Sequence, residues 1–367
     1  MTRVITPHPE RVRPACAIAD RCGGCDWMHA SRAWQRTEAE RRWRDALGDH
    51  WHRALELHDV GPEHGYRCRA RLAIAAGGAI RVGYRRARSH EVVPAEACEI
   101  LHPELERLLP ELRTWLGHSQ GEGEAAIALG AGGMPVMDLR FSGDLDATLF
   151  GRLDRSVGER RCAGARVWDG DVSTPATFGD PRPWVRGADG VPLVIAAGGF
   201  SQPSLEGGAA LANHVAAAIS APGPDATVVE LFAGSGTLTV ALRAGPLRDV
   251  PNYLVVEAFE ARSALEENLA RRHLPPVRFE AADANETVLP RGVDLVVLDP
   301  PRRGAPGAMS TIRAAKVARL LYVSCNPASL ARDLRILGPE YRVVAAAAFR
   351  LFPQTHHVET VLRLERT

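Results

Sequence analysis

Several features that mark membrane, secreted or strongly basic proteins are scarce in this sequence. No apolar run approaches the ~20 residues that a membrane-spanning helix needs, and the stretch from Met1 to Pro7 lacks the apolar segment of a secretory signal. The formal net charge is only +1, so the overall charge does not indicate a nucleic-acid-binding protein. Hydrophobic residues nevertheless make up 46% of the chain, which is enough for a folded core. We therefore expect a folded cytoplasmic protein with no membrane partner.

Lysine is also nearly absent, and arginine carries almost all of the positive charge. Lys316 is the only lysine among the 367 residues. A GC-rich genome would explain this general bias, but one local cluster is more informative. Arg67, Arg69 and Arg71 alternate along a predicted strand, so their side chains would share one face. Such a face either contacts the phosphates of a nucleic acid or is simply solvated.

The seven cysteines are an odd number, which does not indicate a disulfide framework in a chain of this length. Four of them form a candidate set of metal ligands: Cys16, Cys22, Cys25 and Cys98. Three close thiolates and one distant thiolate can hold a [4Fe–4S] cluster. They can equally hold a tetrahedral zinc ion, and the spacing leaves both open. Cys68 and Cys162 fit no ligand pattern.

The two parts of the chain follow different secondary-structure patterns. Residues 1–196 contain short β-like runs separated by Gly, Pro and Asp turns, which predicts an antiparallel β domain with some helix (α+β). Residues 197–367 alternate buried strands with helices, which predicts a doubly wound, Rossmann-like α/β sheet. A helix predicted over 31–47 precedes this second domain in sequence but is a candidate to pack on it. The strands expected in the second domain are 228–232, 253–257, 277–280, 293–298, 320–324, 342–349 and 355–364.

Three of these strands end in glycine-rich or reactive loops. The first runs into Glu230–Thr237, the fourth into Asp299–Gly304 and the fifth into Ser324–Pro327. The carboxyl ends of parallel strands meet at one edge of an open α/β sheet, where ligands bind. We therefore expect one site to be built from these loops.

The first of these loops predicts a site for an adenosine-containing cofactor. Gly234 and Gly236 let the backbone approach a ligand closely, but the third glycine of the dinucleotide fingerprint is missing. Glu257 ends the second strand, where it can accept both ribose hydroxyls, and Asp283 follows the third strand, near the expected adenine. Acidic residues at both places suit an adenosine that carries no phosphates, such as S-adenosylmethionine (SAM). The alternative is that both acids are surface turn residues.

The reactive centre is expected at Cys325 and Glu359. Cys325 follows a buried strand and precedes Asn-Pro, so it is placed for chemistry, although an inert buried thiol is the alternative. Glu359 interrupts an apolar strand, where burial would raise its pKa into the range of a general base. It could instead be an exposed edge acid. A cysteine nucleophile, a carboxylate base and SAM together fit methylation at C5 of a pyrimidine. His356 and His357 lie nearby in sequence without an assigned role.

The motifs Asp299–Gly304, Ser324–Asp333 and Phe352–Glu359 resemble those of the RNA 5-methyluridine (uracil-C5) methyltransferase family, most of all its iron–sulfur-containing 23S rRNA members. The resemblance implies a class I SAM methyltransferase domain with Cys325 as nucleophile and Glu359 as proton acceptor. It also implies which residues contact SAM, some of them in the glycine loop: Gln202, Phe232, Gly234, Thr237, Glu257, Asp283 and Asp299. It favours a [4Fe–4S] cluster over zinc at the four cysteines.

The same resemblance implies an RNA partner, 23S rRNA or alternatively tRNA. The arginines expected to contact it are Arg67, Arg69, Arg71 and Arg302. The target uridine must be unstacked before Cys325 can reach C6. We expect the protein to act as a monomer. The rival hypothesis is a non-catalytic iron–sulfur or zinc RNA-binding protein that retains a methyltransferase fold.

Overall fold

A computed structural model describes residues 6–51, 53 and 55–367. The chain divides into two compact units, and each unit is built from three separate segments. Unit 1 comprises Met1–Ala39, Pro62–Trp184 and Phe352–His356, and unit 2 comprises Glu40–Gly61, Val185–Leu351 and His357–Thr367. This division is more interleaved than the single boundary expected between 196 and 197. The difference arises because the early segment Glu40–Gly61 supplies a strand to the sheet of unit 2. The late loop Phe352–His356, in contrast, is hydrogen-bonded to Gln35 within unit 1.

Helices and strands occur along the whole chain and are numbered in chain order. The helices are α1 (Arg32–Leu47), α2 (Pro103–Glu106), α3 (Leu108–Leu116), α4 (Thr148–Gly158), α5 (Leu205–Ala217), α6 (Thr237–Ala244), α7 (Arg262–Ala270), α8 (Pro306–Ala314) and α9 (Pro327–Leu337). The first strands are β1 (Glu56–Asp59), β2 (Arg69–Gly77), β3 (Ala79–Arg85), β4 (Val92–Pro94), β5 (Gln120–Leu129), β6 (Pro135–Asp144), β7 (Gly164–Asp169), β8 (Ala176–Gly179), β9 (Trp184–Arg186) and β10 (Pro192–Val194). The later strands are β11 (Thr227–Leu231), β12 (Asn252–Glu257), β13 (Arg278–Ala281), β14 (Leu295–Leu298), β15 (Arg319–Ser324), β16 (Tyr341–Arg350) and β17 (Glu359–Arg366). None of the helices in the described residues is long and apolar enough to cross a membrane.

The core of unit 1 is a seven-stranded sheet in the order β4-β3-β2-β5-β6-β7-β8. The predicted antiparallel pairing is present, except that β6 and β7 are parallel. Helix α4 connects this pair, and a helical crossover of that length is what parallel neighbours require. Ala70, Leu72, Ile74 and Ala76 lie on one face of β2 and are all buried, whereas Arg71 and Gly77 on the other face are exposed.

The cysteine-bearing segment of unit 1 has little regular structure. Residues 14–30 form turns and bends, with isolated bridges such as Cys22 to Arg86. Gly23 donates its N–H to the Arg85 carbonyl at 3.0 Å, and a Cβ on Gly23 would lie only 2.8 Å from that oxygen. The two backbones can therefore meet only because residue 23 is a glycine. Two buried glutamines, Gln35 and Gln354, exchange hydrogen bonds of 2.9 and 3.0 Å and so fix the loop at 352–356.

Unit 2 contains an eight-stranded sheet in the order β1-β16-β17-β15-β14-β11-β12-β13. Strands β11 to β15 are parallel, and β17 runs antiparallel between β15 and β16. The strand order reverses between β11 and β14, which places the switch point of the sheet at their carboxyl ends. Strand β14 is buried along its whole length, as its uninterrupted apolar sequence predicts. The doubly wound sheet is therefore present, with an antiparallel hairpin at one side.

Two features of this sheet differ from the prediction. The last strand was expected from residue 355 but begins at Glu359, because residues 352–358 form turns in which Gln354 has a φ of 71°. Strand β1 was not predicted, and it pairs in parallel with β16 at the sheet edge. In the part of α1 that belongs to unit 2, Trp43 is fully buried and donates its indole N–H to the Thr360 hydroxyl at 3.0 Å.

Candidate active site

The loop after β11 forms the floor of a cavity in unit 2. Gly234 and Gly236 have φ values of 54° and 88°, and Gly236 caps the amino end of α6, whose first residue is Thr237. Phe232 also has a positive φ, 61°, which is uncommon for a residue with a side chain and is typical of functional loops. The Gly234 N–H donates to Glu257 Oε2 at 2.8 Å, so the end of β12 is tied to the glycine loop.

The cavity has a volume of about 610 Å³, within the usual range for small-molecule sites. Among its lining residues are the expected Gln202, Phe232, Gly234, Thr237, Glu257, Asp299, Arg302 and Cys325. Phe200 also lines it and is 65% exposed. Among the described residues, the cavity lining does not include Asp283. The Asp283 side chain is exposed after β13 and accepts the Asn285 N–H at 2.8 Å.

Sequence reasoning missed a buried acid beneath the cavity. Glu230 lies in β11, lines the cavity and accepts the Tyr253 hydroxyl at 2.6 Å. Burial raises the pKa of Glu230 to about 7. Burial, together with the nearby Glu230, also raises the pKa of Asp299 to about 7. The signal was present in the sequence, since Glu230 interrupts an apolar strand in the same way as Glu359.

Strand pairing brings Cys325 and Glu359 together. Strands β15 and β17 are antiparallel, and their last pair is Ser324 opposite Thr360. Continuing this register by one residue places Cys325 opposite Glu359, and directly opposed residues project from the same face. The two residues therefore lie at the adjoining ends of neighbouring strands, although 33 residues lie between them in the chain.

Both groups are held in their uncharged forms by their surroundings. Burial raises the pKa of Glu359 to about 8, with a further contribution from Asp299, while Arg302 lowers it. Glu359 Oε2 is buried and has no hydrogen-bond partner among the residues that the structure describes. Burial raises the pKa of the Cys325 thiol to about 12; Glu359 and Asp299 act in the same direction and Arg302 opposes them. The same two charges, Asp299 and Arg302, thus influence both groups.

The loop that carries Arg302 is tied to the turn that carries Cys325. Asn326 donates from Nδ2 to the Arg302 carbonyl at 3.0 Å and accepts the Ala328 N–H at 3.1 Å, which caps helix α9. The Arg302 guanidinium lies 3.2 Å from His357 Nδ1. His356 belongs to unit 1, where its Nδ1 lies 2.5 Å from the Asp26 carboxylate.

Asp333 is a second residue that sequence reasoning missed. Its carboxylate is fully buried and accepts the Ala305 N–H at 2.7 Å and the Tyr322 hydroxyl at 2.6 Å. The Arg332 guanidinium donates to the same carboxylate at 2.7 Å. Gly304 has a φ of 74°, and a Cβ there would lie 2.5 Å from Asp333. Asp333 therefore holds the end of the Asp299–Gly304 loop against strand β15.

In unit 1, all four candidate ligand cysteines line one cavity: Cys16, Cys22, Cys25 and Cys98. Two donors point at their sulfurs. The Gly24 N–H lies 3.3 Å from Cys22 Sγ, and the Tyr84 hydroxyl lies 3.5 Å from Cys98 Sγ. Burial raises the pKa of the Cys25 thiol to about 12, and the nearby Arg67 lowers it. Within the described ranges, no three His, Cys, Asp or Glu side chains are grouped so that they could hold a single metal ion. Cys68 and Cys162 are buried elsewhere.

The three arginines expected on one strand face do not share an environment. Arg71 is exposed and pairs with Glu124 at 3.2 Å, and Arg69 is half-buried. Arg67 instead lines the cysteine cavity. The reason is that Arg67 precedes β2 and bridges to Leu101, next to the Cys98 turn, rather than pairing with β5.

The fold of this chain is that of a class I methyltransferase. A solved structure of Pyrococcus abyssi tRNA (uracil-54, C5)-methyltransferase in complex with S-adenosyl-L-homocysteine superposes with a TM-score of 0.75, covering 99% of this chain and 88% of that chain at 22% identity. That similarity establishes the fold alone.

Named proteins with similar sequences show the family to which the chain belongs. The 23S rRNA (uracil(1939)-C(5))-methyltransferase RlmD of Enterobacter sp. (strain 638) is 32% identical, over 98% of this chain and 84% of the relative. The protein of the same name from Pseudomonas putida is also 32% identical, over 100% of this chain and 82% of the relative. The model of the tRNA (uracil-5-)-methyltransferase family matches residues 290–367. The chain belongs to the RNA uracil-C5 methyltransferase family, which confirms the resemblance seen in its motifs.

Proposed function

We propose that this protein methylates C5 of a uridine in 23S rRNA, with SAM as the methyl donor. The relatives that match almost the whole chain carry that activity in their names. The mechanism is supported by the register of β15 and β17, which, continued by one residue, sets Glu359 opposite Cys325 in the lining of the glycine-loop cavity.

The residues around the glycine loop fit SAM. Glu257 is already fixed by the Gly234 N–H and leaves carboxylate capacity for ribose hydroxyls. Gln202 and Phe232 line the same cavity, and Asp299 supplies negative charge where a sulfonium would be favoured. Asp283 is exposed after the neighbouring strand, and we assign it to the adenine end of the site. SAM supplies the methyl group for the reaction.

The chemistry assigned to the chain begins at Cys325. In its thiolate form, Cys325 bonds through sulfur to C6 of the uracil, and the C5–C6 π electrons move to C5 and O4, so that C5 becomes nucleophilic enough to take the methyl group. Glu359 then removes the proton from C5. The electrons of that C–H bond re-form the C5–C6 double bond, and the Cys325 sulfur leaves as thiolate.

The electrostatics of the site support this division of roles. A base with a pKa of about 8 holds a proton strongly once it has taken one, yet is partly ionised near neutral pH. Arg302 lowers the pKa values of both Cys325 and Glu359, so it favours the thiolate and the carboxylate that the reaction needs. Its position at the cavity mouth, beside His357, also suits contact with the RNA.

Replacing Glu359 by Gln tests this mechanism. Attack by Cys325 and methyl transfer both precede proton removal, so both can occur without the base. The adduct then cannot eliminate, because its C5 proton stays in place. We expect Glu359→Gln to accumulate a denaturant-resistant protein–RNA complex with one transferred methyl group, seen on a denaturing gel after incubation with labelled SAM and rRNA.

The double variant Cys325→Ala, Glu359→Gln is the matched control and should form no such complex. Cys325→Ala alone should lose methylation but still bind SAM, because the thiol is not needed to hold the cofactor. Release of methylated RNA by Glu359→Gln at the wild-type rate would show that another group is the base, with His357 the next candidate. Mapping 5-methyluridine in rRNA and tRNA of a strain that lacks the protein tests the RNA, and loss from tRNA alone would overturn the 23S assignment.

We further propose that the four cysteines of unit 1 hold a [4Fe–4S] cluster. The donor set fits such a group, because four thiols line one cavity that also contains a half-buried arginine and two donors aimed at sulfur. The cluster would supply structural cross-linking to a segment that has little regular structure of its own. Anaerobically purified protein should contain about four irons per chain. One zinc and no iron would overturn this proposal without touching the methyltransferase assignment.

A further inference from the structure

Arg67 occupies a place that neither RNA binding nor packing explains. It lines the cavity formed by the four ligand cysteines, and its backbone is held on both sides by the Cys98 turn. The Arg67 N–H donates to the Ile100 carbonyl at 2.8 Å, and the Arg67 carbonyl accepts the His102 N–H at 2.9 Å. Its side chain therefore starts from a fixed point and reaches into the cysteine cavity.

The guanidinium lacks a full set of acceptors there. Nε of Arg67 is buried and has no hydrogen-bond partner among the residues that the structure describes. Leaving a buried donor of a charged group without an acceptor destabilises the folded state. The groups around it are Tyr66, Tyr84 and Cys25, and the Tyr66 hydroxyl already donates to the Pro353 carbonyl at 2.9 Å. The Tyr66 hydroxyl can still accept from the guanidinium, but Nε itself has no partner among the described residues, and the cysteine sulfurs that line the same cavity are acceptors it could meet.

Charge balance leads to the same conclusion. Four thiolates around an iron–sulfur core leave a net negative charge, and burying such a charge is costly unless a cation lies nearby. Among the described residues, the charged or ionisable side chains that line the cavity besides Arg67 are the cysteines, Tyr84 and Glu99, none of which supplies positive charge. Arg67 is thus the cation that the cavity lining provides.

We propose that the Arg67 guanidinium is the internal counter-ion of the cluster, donating from Nε to a cluster sulfur and raising the cluster's reduction potential. This inference rests on the [4Fe–4S] proposal above. The potential of such a cluster depends on its net charge and on hydrogen bonds to its sulfurs, and Arg67 contributes to both. The Gly24 and Tyr84 donors act on single thiolates, whereas Arg67 adds a full charge.

The test compares three single variants by redox titration followed by electron paramagnetic resonance. Arg67→Gln removes the charge, Arg67→Lys keeps it on a different donor, and Arg71→Gln removes an exposed strand arginine as the matched control. We expect Arg67→Gln to disfavour cluster reduction at least tenfold, which corresponds to about 59 mV for one electron. Arg67→Lys should recover most of that shift, and Arg71→Gln should match the wild type.

A second measurement covers the case in which Arg67→Gln holds its cluster poorly. Bleaching of the cluster by an iron chelator should be fastest in Arg67→Gln, intermediate in Arg67→Lys, and of wild-type rate in Arg71→Gln. Equal potentials and equal bleaching rates in all iron-loaded variants would overturn the inference. So would a lysine variant that behaves like the glutamine variant while its circular dichroism is that of the wild type. A wild-type protein without iron would instead refute the cluster proposal itself.

Discussion

At the residue scale, burial of the Glu359 carboxyl lowers the stability of the folded protein but shifts its pKa into the range that the proposed base requires. The carboxyl lies in an apolar strand, and burial is the main reason that its pKa rises to about 8. The folded state therefore disfavours the ionised form that the proposed proton abstraction requires. An amide in the same place has no charge to bury, so stability should depend on pH through this side chain in the wild type but not in the glutamine variant.

We predict that Glu359→Gln becomes more stable than the wild type as the pH rises. Between 4.5 and about 8 the folded wild type keeps a proton that the unfolded chain has lost. Wild-type stability should therefore fall across this window, by at most ~1.4 kcal/mol per pH unit. Below 4.5 both states are protonated and this penalty is absent. Urea denaturation of both proteins at about pH 5, 7 and 9 measures the effect, and a stability difference that stays constant across these values would contradict it.

The site residues that could be predicted from the sequence are polar or reactive side chains that interrupt or directly follow an apolar run. Cys325 before Asn-Pro and Glu359 within an apolar run are visible without a structure. Glu230 is likewise a carboxylate within an apolar run, but the glycine motif that follows it is the more specific signal and predicts only the loop. Arg67 could not have been placed, because alternation along β2 predicts an exposed face, and only the bridge to Leu101 turns this side chain into the cysteine cavity.

At the scale of elements, side-chain hydrogen bonds join the loop after β14 to helix α9, which follows β15. Asp333 in α9 accepts from Ala305 in the loop and from Tyr322 in the strand, and Asn326 holds the Arg302 carbonyl. The position of Arg302 relative to Cys325 is thus set by side chains that have no contact with the reacting atoms. Asp333 is a positioning residue in this sense.

We predict that Asp333→Asn lowers stability by about 1–3 kcal/mol, because an amide cannot accept all the hydrogen bonds that the carboxylate accepts. The Arg302 loop should loosen with it, so KM for RNA should rise more than binding of S-adenosylhomocysteine weakens. Urea denaturation and methyl-transfer kinetics measure the two effects. The exposed Asp225→Asn is the control and should change neither. A destabilised Asp333→Asn with wild-type KM would limit Asp333 to a packing role.

Element boundaries were predicted less well than element types, for reasons that particular residues make clear. The last strand was placed four residues too early, because Thr355, His356 and Val358 have strand-like composition although their backbone forms turns. Strand β1 could not be recognised, since a short polar edge strand carries almost no periodic signal. The parallel strands β11, β12, β14 and β15 were recognised because buried strands have continuous apolar sequences.

At the scale of the whole molecule, one segment of unit 1 is held differently from the sheets of either unit. Unit 2 has a sheet with buried apolar strands, whereas residues 14–30 of unit 1 have only turns and isolated bridges. A segment of that kind gains most from a covalent or metal cross-link. If the proposed cluster is bound, the order of this segment should depend on it, while that of the strands of unit 2 should not.

We predict that Cys98→Ser loses iron and speeds amide hydrogen exchange in residues 16–30, with no change in β11 and β14. Loss of one of four ligands should release the whole cluster, because the remaining three thiolates no longer enclose it. Cys162→Ser is the matched control, a buried cysteine outside the cavity, and it should keep its iron. Full iron content in Cys98→Ser would remove Cys98 from the ligand set. The expected cytoplasmic location and monomeric state stay predictions.

The central position of β17 has a consequence for how the protein becomes active during its own synthesis. The ribosome completes β15 and β16 before it makes β17, yet β17 must fit between them. The glycine loop and Glu257 lie on strands made much earlier. A nascent chain can therefore form the glycine-loop cavity before β17 has been inserted between β15 and β16. Because β17 also carries Glu359, the step that completes the sheet also completes the proposed catalytic pair, and on that proposal a partly synthesised chain cannot finish a methylation cycle.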